Sequence, residues 1–235
     1  MKLFVGTSGY SYKEWKGPFY PKDLPAARML NHYGERFRTV EINSTFFALP
    51  KVATLEQWAG QVPDEFRFAF KAPKQITHVQ SLQNKEEAVS RLCEVLGTLS
   101  ARRGPLLVQL PPTLKKDEPR LRTFLASLPP QDRVAFEFRH ASWFDEDIFG
   151  LLRDHGAALC VADTDEELEV PFVSTANWGY LRLRRLDYDD ATLVEWINRI
   201  RGQKWSETFV YFKHEDEANG PRLAQRMLDL NKKPA

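Results

Sequence analysis

Short apolar runs alternate with longer amphipathic segments along the whole chain. Runs beginning near Leu3 ("LFVGTSG"), Thr39 ("TVEINST"), Arg67 ("RFAFKAP") and Pro105 ("PLLVQLPP") read as strands, as do those near Val134 ("VAFEFRH"), Ala158 ("ALCVAD"), Gly179 ("GYLRLRR") and Thr208 ("TFVYFKHE"). Their starts lie roughly 30 residues apart, the length of a parallel strand plus its crossover. The segments between them carry the helical period. "EEAVSRLCEVLGTLSAR" places Val89, Leu92, Cys93, Leu96 and Leu99 three and four residues apart. "EPRLRTFLASL", "DEDIFGLLRDHG" and "DATLVEWINRI" repeat that spacing; the second runs into a Gly stop, and the last two open on Asp145 and Asp190, where an N-cap is favoured. The connection from Asp163 to Gly179 contains Pro171 and predicts no helix.

Eight such units predict an α/β fold, a TIM-type (β/α)8 barrel of parallel strands with an irregular sixth-to-seventh connection. An open doubly wound sheet is the alternative. Neither "GxGxxG" nor "GxxxxGK[ST]" occurs, so nothing points to a dinucleotide or P-loop site. No linker or low-complexity stretch interrupts the chain, which predicts a single domain over residues 1–235.

Barrel geometry turns the strand pattern into a candidate site. Alternate strand residues face the helices or the interior, and the helix-facing set should be apolar. Val40 and Ile42 leave Glu41 and Asn43 inside; Phe68 and Phe70 leave Lys71; Phe136 and Phe138 leave Glu137 and Arg139; Leu181 and Leu183 leave Arg182 and Arg184. Gln109 joins from the fourth strand, and Asp163, closing the sixth, is counted with the inward acids. "FVYFKH" is apolar on both parities, so either Lys213 or His214 faces in. These charges gather towards the carboxyl ends of the strands, where barrel active sites are built. A self-satisfied ion network at the mouth would also explain them, because unpaired buried charge is costly.

Overall charge adds little: 33 Lys+Arg against 32 Asp+Glu, a formal net charge of +1, give no general attraction to nucleic acid or membrane. The amino terminus "MKLFVGTSGY" is too briefly apolar for a signal peptide and no run reaches membrane-span length, so a cytoplasmic protein without a membrane partner is expected. Cys93 and Cys160 sit in apolar contexts and read as buried thiols.

The cluster's chemistry follows from its mixture of signs. Carboxylates among Arg and Lys should have depressed pKa values, which suits bases or orienting partners and disfavours a glycosidase acid. Glu41, Lys71, Glu137 and Asp163 are the candidate catalytic residues. Arg139 with Arg182 or Arg184 could grip a phosphate or carboxylate, and Lys71 is an ion-pair partner, an anion contact or a Schiff-base nucleophile. His78, His140 and His214 each follow a strand, but no "HExxH"-type spacing supports a metal, and no metal site or cofactor is assigned. The first connection, "SGYSYKEWKGPFYP", crowds Tyr10, Tyr12, Trp15, Phe19 and Tyr20 into a loop over the mouth; Tyr10 and Trp15 are candidate ligand contacts, with packing the competing explanation.

The blocks "VGTSGYSYKEWKGPFYP", "TVEINSTFFALP", "FAFKAPKQITH", "LLVQLPP", "AFEFRHASWF" and "ALCVADT" resemble, in order, the hallmark segments of the YecE-like family, also known as domain of unknown function 72. The resemblance covers most of the chain. It implies a TIM-type barrel and a polar pocket at the matching positions Ser8, Glu41, Asn43, Lys71, Gln109, Glu137, Arg139 and Asp163. It implies no reaction. The ending departs from the family's usual pattern: Arg184 stands where a His is usual, and Lys213, His214 and Glu215 replace an Asn-Asn-Asp region. The expected function is therefore that of an enzyme on a small anionic substrate, a phosphorylated sugar or nucleotide-like molecule. A nucleic-acid-binding or endonuclease-IV-like repair barrel and a non-catalytic ligand-binding barrel are the alternatives.

Overall fold

The computed structural model describes residues 1–214 and 216–232. The strands are β1 (Lys2–Thr7), β2 (Thr39–Ile42), β3 (Arg67–Lys71), β4 (Arg103–Gln109), β5 (Val134–Glu137), β6 (Ala158–Asp163), β7 (Trp178–Leu183) and β8 (Glu207–Phe212). They form one eight-stranded parallel sheet, with β1 paired to β8 and each other strand beside its sequence neighbour. The seam between β1 and β2 is held by a bridge at Ser8 and Glu41, where the Gly9 amide donates to the Glu41 carbonyl at 2.8 Å. The result is a nearly closed TIM-like barrel.

Helices α1 (Met29–Arg36), α2 (Val52–Ala59), α3 (Lys74–Thr77), α4 (Glu86–Gly97), α5 (Glu118–Ala126), α6 (Glu146–Asp154), α7 (Asp190–Arg201) and α8 (Asn219–Lys232) cover the outside. Local chemistry explains where several begin. The carboxylate of Asp117 accepts from the Arg120 amide at 3.1 Å, and that of Asp145 from the Ile148 amide at 3.0 Å, satisfying amides that have no partner in the first helical turn. The cap of α7 is Asp189 rather than the expected Asp190. Its extended backbone lets the carboxylate reach the Thr192 amide at 2.8 Å, whereas Asp190 is already helical. Gly156, at φ +61°, turns the chain out of α6 into β6.

The connection between β6 and β7 holds no helix, as its Pro171 predicts. The Thr175 hydroxyl instead takes the Leu159 amide at 2.7 Å and donates to the Ala157 carbonyl at 2.8 Å, pinning that connection to the start of β6.

The two strand faces carry different contents. Outward residues such as Val40, Phe68, Phe70, Phe136, Phe138 and Leu181 are buried under the helices; each contributes roughly 1.5–3 kcal/mol of burial. Inside, Ala69, Ala135, Ala158 and Cys160 oppose Phe4, Trp178, Tyr180, Phe209 and Tyr211. Strands β1, β7 and β8 supply the bulk, and β3, β5 and β6 supply room for it. This packed plug fills the lower barrel, so polar residues one pleat further along the strands line a cavity at the mouth. In β8, Phe209 and Tyr211 face in, which carries Lys213 to the mouth. His214 bends away and pairs with the Arg185 carbonyl.

Candidate functional site

At the carboxyl ends of the strands lies a cavity of about 350 Å³ lined by Tyr12, Asn43, Phe46, Phe47, Lys71, Gln109, Arg139, Arg182, Arg184 and Lys213. Its floor is one ionic unit. Arg182, 2% exposed, donates through one terminal nitrogen to Glu137 Oε2 at 2.7 Å and through the other to Glu41 Oε1 at 3.0 Å. Ser8 Oγ adds a 2.5 Å bond to Glu41 Oε1, and the Tyr180 hydroxyl one of 2.7 Å to Oε2. Glu137 Oε1 accepts from Gln109 Nε2 at 2.8 Å and from Arg139 Nε at 3.1 Å. Two charges of like sign two residues apart would repel on this face; Glu137 and Arg139 instead pair with each other.

The electrostatics follow from this geometry. Burial alone would raise the Glu137 pKa, but Arg182, Arg139 and the Gln109 bond outweigh it and hold the carboxyl at about 2. Burial disfavours the Arg182 cation, yet Glu41 and Glu137 override it and raise its pKa. Among the described residues Lys71 has no carboxylate bonded to it, and the pull of the same two acids is weaker. Burial first, and the positive charge of Arg182 second, bring its pKa down to about 8 against the opposing pull of Glu137 and Glu41. Its ammonium sits 4.2 Å from the centre of the Phe46 ring. Arg184 is lowered too, by burial and by Arg182.

Three atoms in this region are buried with no hydrogen-bond partner: Asn43 Oδ1, Arg182 Nε and Arg184 Nε. Buried polar groups are normally paired, so these three stand out as unsatisfied atoms packed behind the cavity surface.

The structure draws together Ser8, Glu41, Asn43, Lys71, Gln109, Glu137, Arg139, Arg182 and Arg184, in the floor or the lining. Three candidates lie elsewhere. Asp163 shares the parity of Leu159 and Val161 and faces the helices, where it binds Arg185 Nε at 2.8 Å and Trp196 Nε1 at 3.3 Å. Its expected inward position is therefore corrected. The interior side of β6 is occupied by small Ala158 and Cys160, which look no more inward than Val161 when read as letters. Trp15 is 1% exposed and stacks among Tyr12, Phe19 and Tyr20, so it is packing and no ligand reaches its face. Tyr10 leans on Tyr33 with ring centres 6.2 Å apart, and its carbonyl accepts from the Tyr20 hydroxyl at 2.5 Å.

The rings that do line the cavity are Tyr12 and the pair Phe46–Phe47, the latter missed by strand parity. They lie just after β2, on and beyond a single 3-10 turn, where neither periodicity applies. The tandem "FF" in a polar loop was the available signal.

Among the described residues, no three His, Cys, Asp or Glu side chains gather as a metal-ligand set. His78 bonds to the Thr77 hydroxyl at 2.8 Å beside Phe46, while His140 Nδ1 accepts from the Ser142 amide at 3.1 Å and caps the following turn. Glu215 lies outside the described residues. Cys93 and Cys160 are buried thiols; burial raises the first to about 12 and the second well above its ordinary value, so neither is a reactive thiolate.

A barrel with a buried Glu–Arg–Glu floor beneath a cationic mouth defines the class of fold and site. Residues 4–235 match the family described as Protein of unknown function DUF72, and the chain belongs to it. It is 32% identical over 143 residues to UPF0759 protein YecE of Escherichia coli K12, a match covering 60% of this chain and half of that protein. It is 24% identical over 229 residues to UPF0759 protein YunF of Bacillus subtilis, covering 92% of this chain and 79% of that one. Among solved structures, the DUF72 family protein TM1631 of Thermotoga maritima superposes with a TM-score of 0.86 at 26% identity, covering 99% of this chain and 100% of the other. The Enterococcus faecalis DUF72 family protein EF0366 gives 0.80 at 17% identity over 99% and 98% of the two chains, a likeness of fold. No helix among the described residues is long and apolar enough to cross a membrane.

Proposed function

We propose that the mouth cavity binds a small anionic ligand, a phosphorylated sugar or nucleotide-like molecule, and that the protein acts on it as an enzyme. One observation carries the reading: five cations line the cavity, and the two carboxylates beneath it are already engaged by Arg182. The surplus is positive. Lys71, Arg139 and Arg184 present nitrogen to the space, Arg139 and Arg184 as planar forks suited to phosphate oxygens. Asn43 adds an uncharged polar side chain to the lining.

Roles divide by pKa. Glu137, at about 2, is too weak a base for proton abstraction near neutrality and acts as an electrostatic anchor. Arg182 is spent on the floor and orients it. Lys71, at about 8, is the group whose proton moves near physiological pH.

The test is a thermal-shift screen at low salt with sugar phosphates, nucleotides, carboxylates and inorganic phosphate. A ligand at about a hundred times its dissociation constant should add roughly 2.7 kcal/mol, a shift of several degrees. The shift should vanish in Arg139→Ala. If no anion stabilises the native protein, the reading is withdrawn. Stabilisation without turnover of any ligand would make this a binding barrel.

A second reading has its own observation. Phe46 and Phe47 also line a neighbouring groove of about 800 Å³ with Val52, Val79, Lys51, Lys74 and Arg91. Phe47 is 83% exposed there. Exposed rings among cations beside a phosphate-sized cavity suit a single-stranded nucleic acid. That reading requires oligonucleotide binding that falls steeply with salt and weakens in Phe47→Ala.

A further inference from the structure

Lys71 differs from the three arginines of the mouth. Arg182 bridges two carboxylates, Arg139 pairs with Glu137, and Arg184 lies 3.9 Å from the same carboxylate. Among the described residues, the Lys71 amine makes no ion pair and no hydrogen bond; its one close partner is the face of Phe46. It ends β3 with its side chain in the cavity, half-buried, above a floor whose two carboxylates have been claimed by an arginine. A lysine serving only to balance Glu41 or Glu137 would stand in the place Arg182 occupies.

We infer that Lys71 is a reactive amine that forms an imine with a phosphorylated aldehyde or ketone held in the cavity. The inference rests on the reading of the mouth as an anion site and names the chemistry of its ligand. The geometry supplies both halves: cationic forks for the phosphate, and a desolvated amine a short reach away for the carbonyl carbon. The Lys71 lone pair attacks that carbon and the C=O π pair moves onto oxygen. One N–H proton passes to that oxygen through solvent, giving the carbinolamine. The hydroxyl then leaves as water with the second N–H proton, and the C=N bond closes. No oxidant or further reactant is needed.

The surroundings favour the free amine. Charged groups acting on it are Arg182 from β7, Arg139 and Glu137 from the end of β5, and Glu41 from β2; His78, just past α3, feels the Lys71 charge in turn, and Arg184 and Lys213 line the same cavity. With its pKa at about 8, about a tenth of Lys71 is uncharged at pH 7, against less than about a thousandth of an ordinary lysine.

The experiment is reductive trapping on the full chain. The protein is incubated with glyceraldehyde 3-phosphate, or with unphosphorylated glyceraldehyde, plus sodium cyanoborohydride, and adducts are mapped by peptide mass spectrometry. The expected result is labelling of Lys71 about tenfold above the mean of the other lysines with the phosphorylated aldehyde. That excess should disappear with the neutral aldehyde, fall when inorganic phosphate competes, rise through about pH 8, and be absent in Lys71→Arg. Lys71→Arg should still be stabilised by phosphate, which shows that the fold and anion site survive. Labelling spread evenly over lysines, while phosphate still raises the melting midpoint of the wild type, overturns the imine and leaves the anion site standing. Absence of both phosphate stabilisation and Lys71 labelling overturns the anion site and the imine together.

Discussion

The two ends of the barrel carry cavities of nearly equal size, about 350 Å³ at the carboxyl ends of the strands and about 390 Å³ at the amino ends. Both are rich in arginine. At the amino end, Arg103 pairs with Asp132, Arg133 pairs with Glu207, and Arg67 donates to the Asp64 and Phe66 carbonyls. Each guanidinium there has its own acceptor. At the mouth a single buried arginine takes both carboxylates and leaves the rim cationic. Arginine content alone therefore says nothing about a site; what differs is how the negative charge is shared out.

The contrast would be tested most severely by removing the bridge. Arg182→Met should destabilise by about 3–5 kcal/mol, since it removes the cation shared by two buried carboxylates, whereas Arg133→Met at the amino end should cost at most about 1 kcal/mol. Urea unfolding of the two variants measures the gap, and equal losses would mean the floor is no special unit. Acid exposes the same difference. Glu137 sits at about 2 in the fold against an ordinary 4.5. Its depressed pKa means the stability it contributes is present above pH 4.5 and is lost as pH falls towards 2. Melting midpoints across that window should drop more steeply for the wild type than for Glu137→Gln.

Lys71 should show the opposite sign. Its pKa falls from 10.5 to about 8 on folding, so the penalty is fully present below pH 8 and gone above 10.5. Lys71→Met should therefore gain roughly 1–2 kcal/mol at pH 7, after discounting for the open cavity, and lose that advantage at high pH. The smallest stability change is expected for Arg139→Ala, within about 1 kcal/mol because its side chain is partly exposed, yet it should abolish stabilisation by phosphate.

The floor was legible in the sequence because β2, β5 and β7 carry large apolar residues on one parity and charge on the other. "VEI", "FEFR" and "LRLR" leave a single reading. Strand β6 carries small residues inside and a charge outside, and strand β8 is apolar on both faces. There parity has no contrast to work with, and Asp163 was drawn to the wrong side while Lys213 stayed undecided. The aromatic loop failed for another reason. Ring density marks both lids and cores, and only three-dimensional packing separates buried Trp15 from Tyr12 at the cavity wall. The rim's pairing pattern joins strands more than a hundred residues apart, as in the Glu41–Arg182 bond, and no local pattern encodes which carboxylate an arginine will choose.

The seam between β1 and β2 has a kinetic corollary. The residue that closes the barrel there is Glu41, whose carbonyl receives the Gly9 amide and whose carboxylate receives the Ser8 hydroxyl and Arg182. Parting the two strands would strip a buried anion of one donor and open a path for solvent to it. Breathing of the sheet at this edge is thus tied to the integrity of the charge beneath the mouth. Deuterium uptake at the Gly9 amide becomes a single-site reporter of how often the ring of strands comes undone.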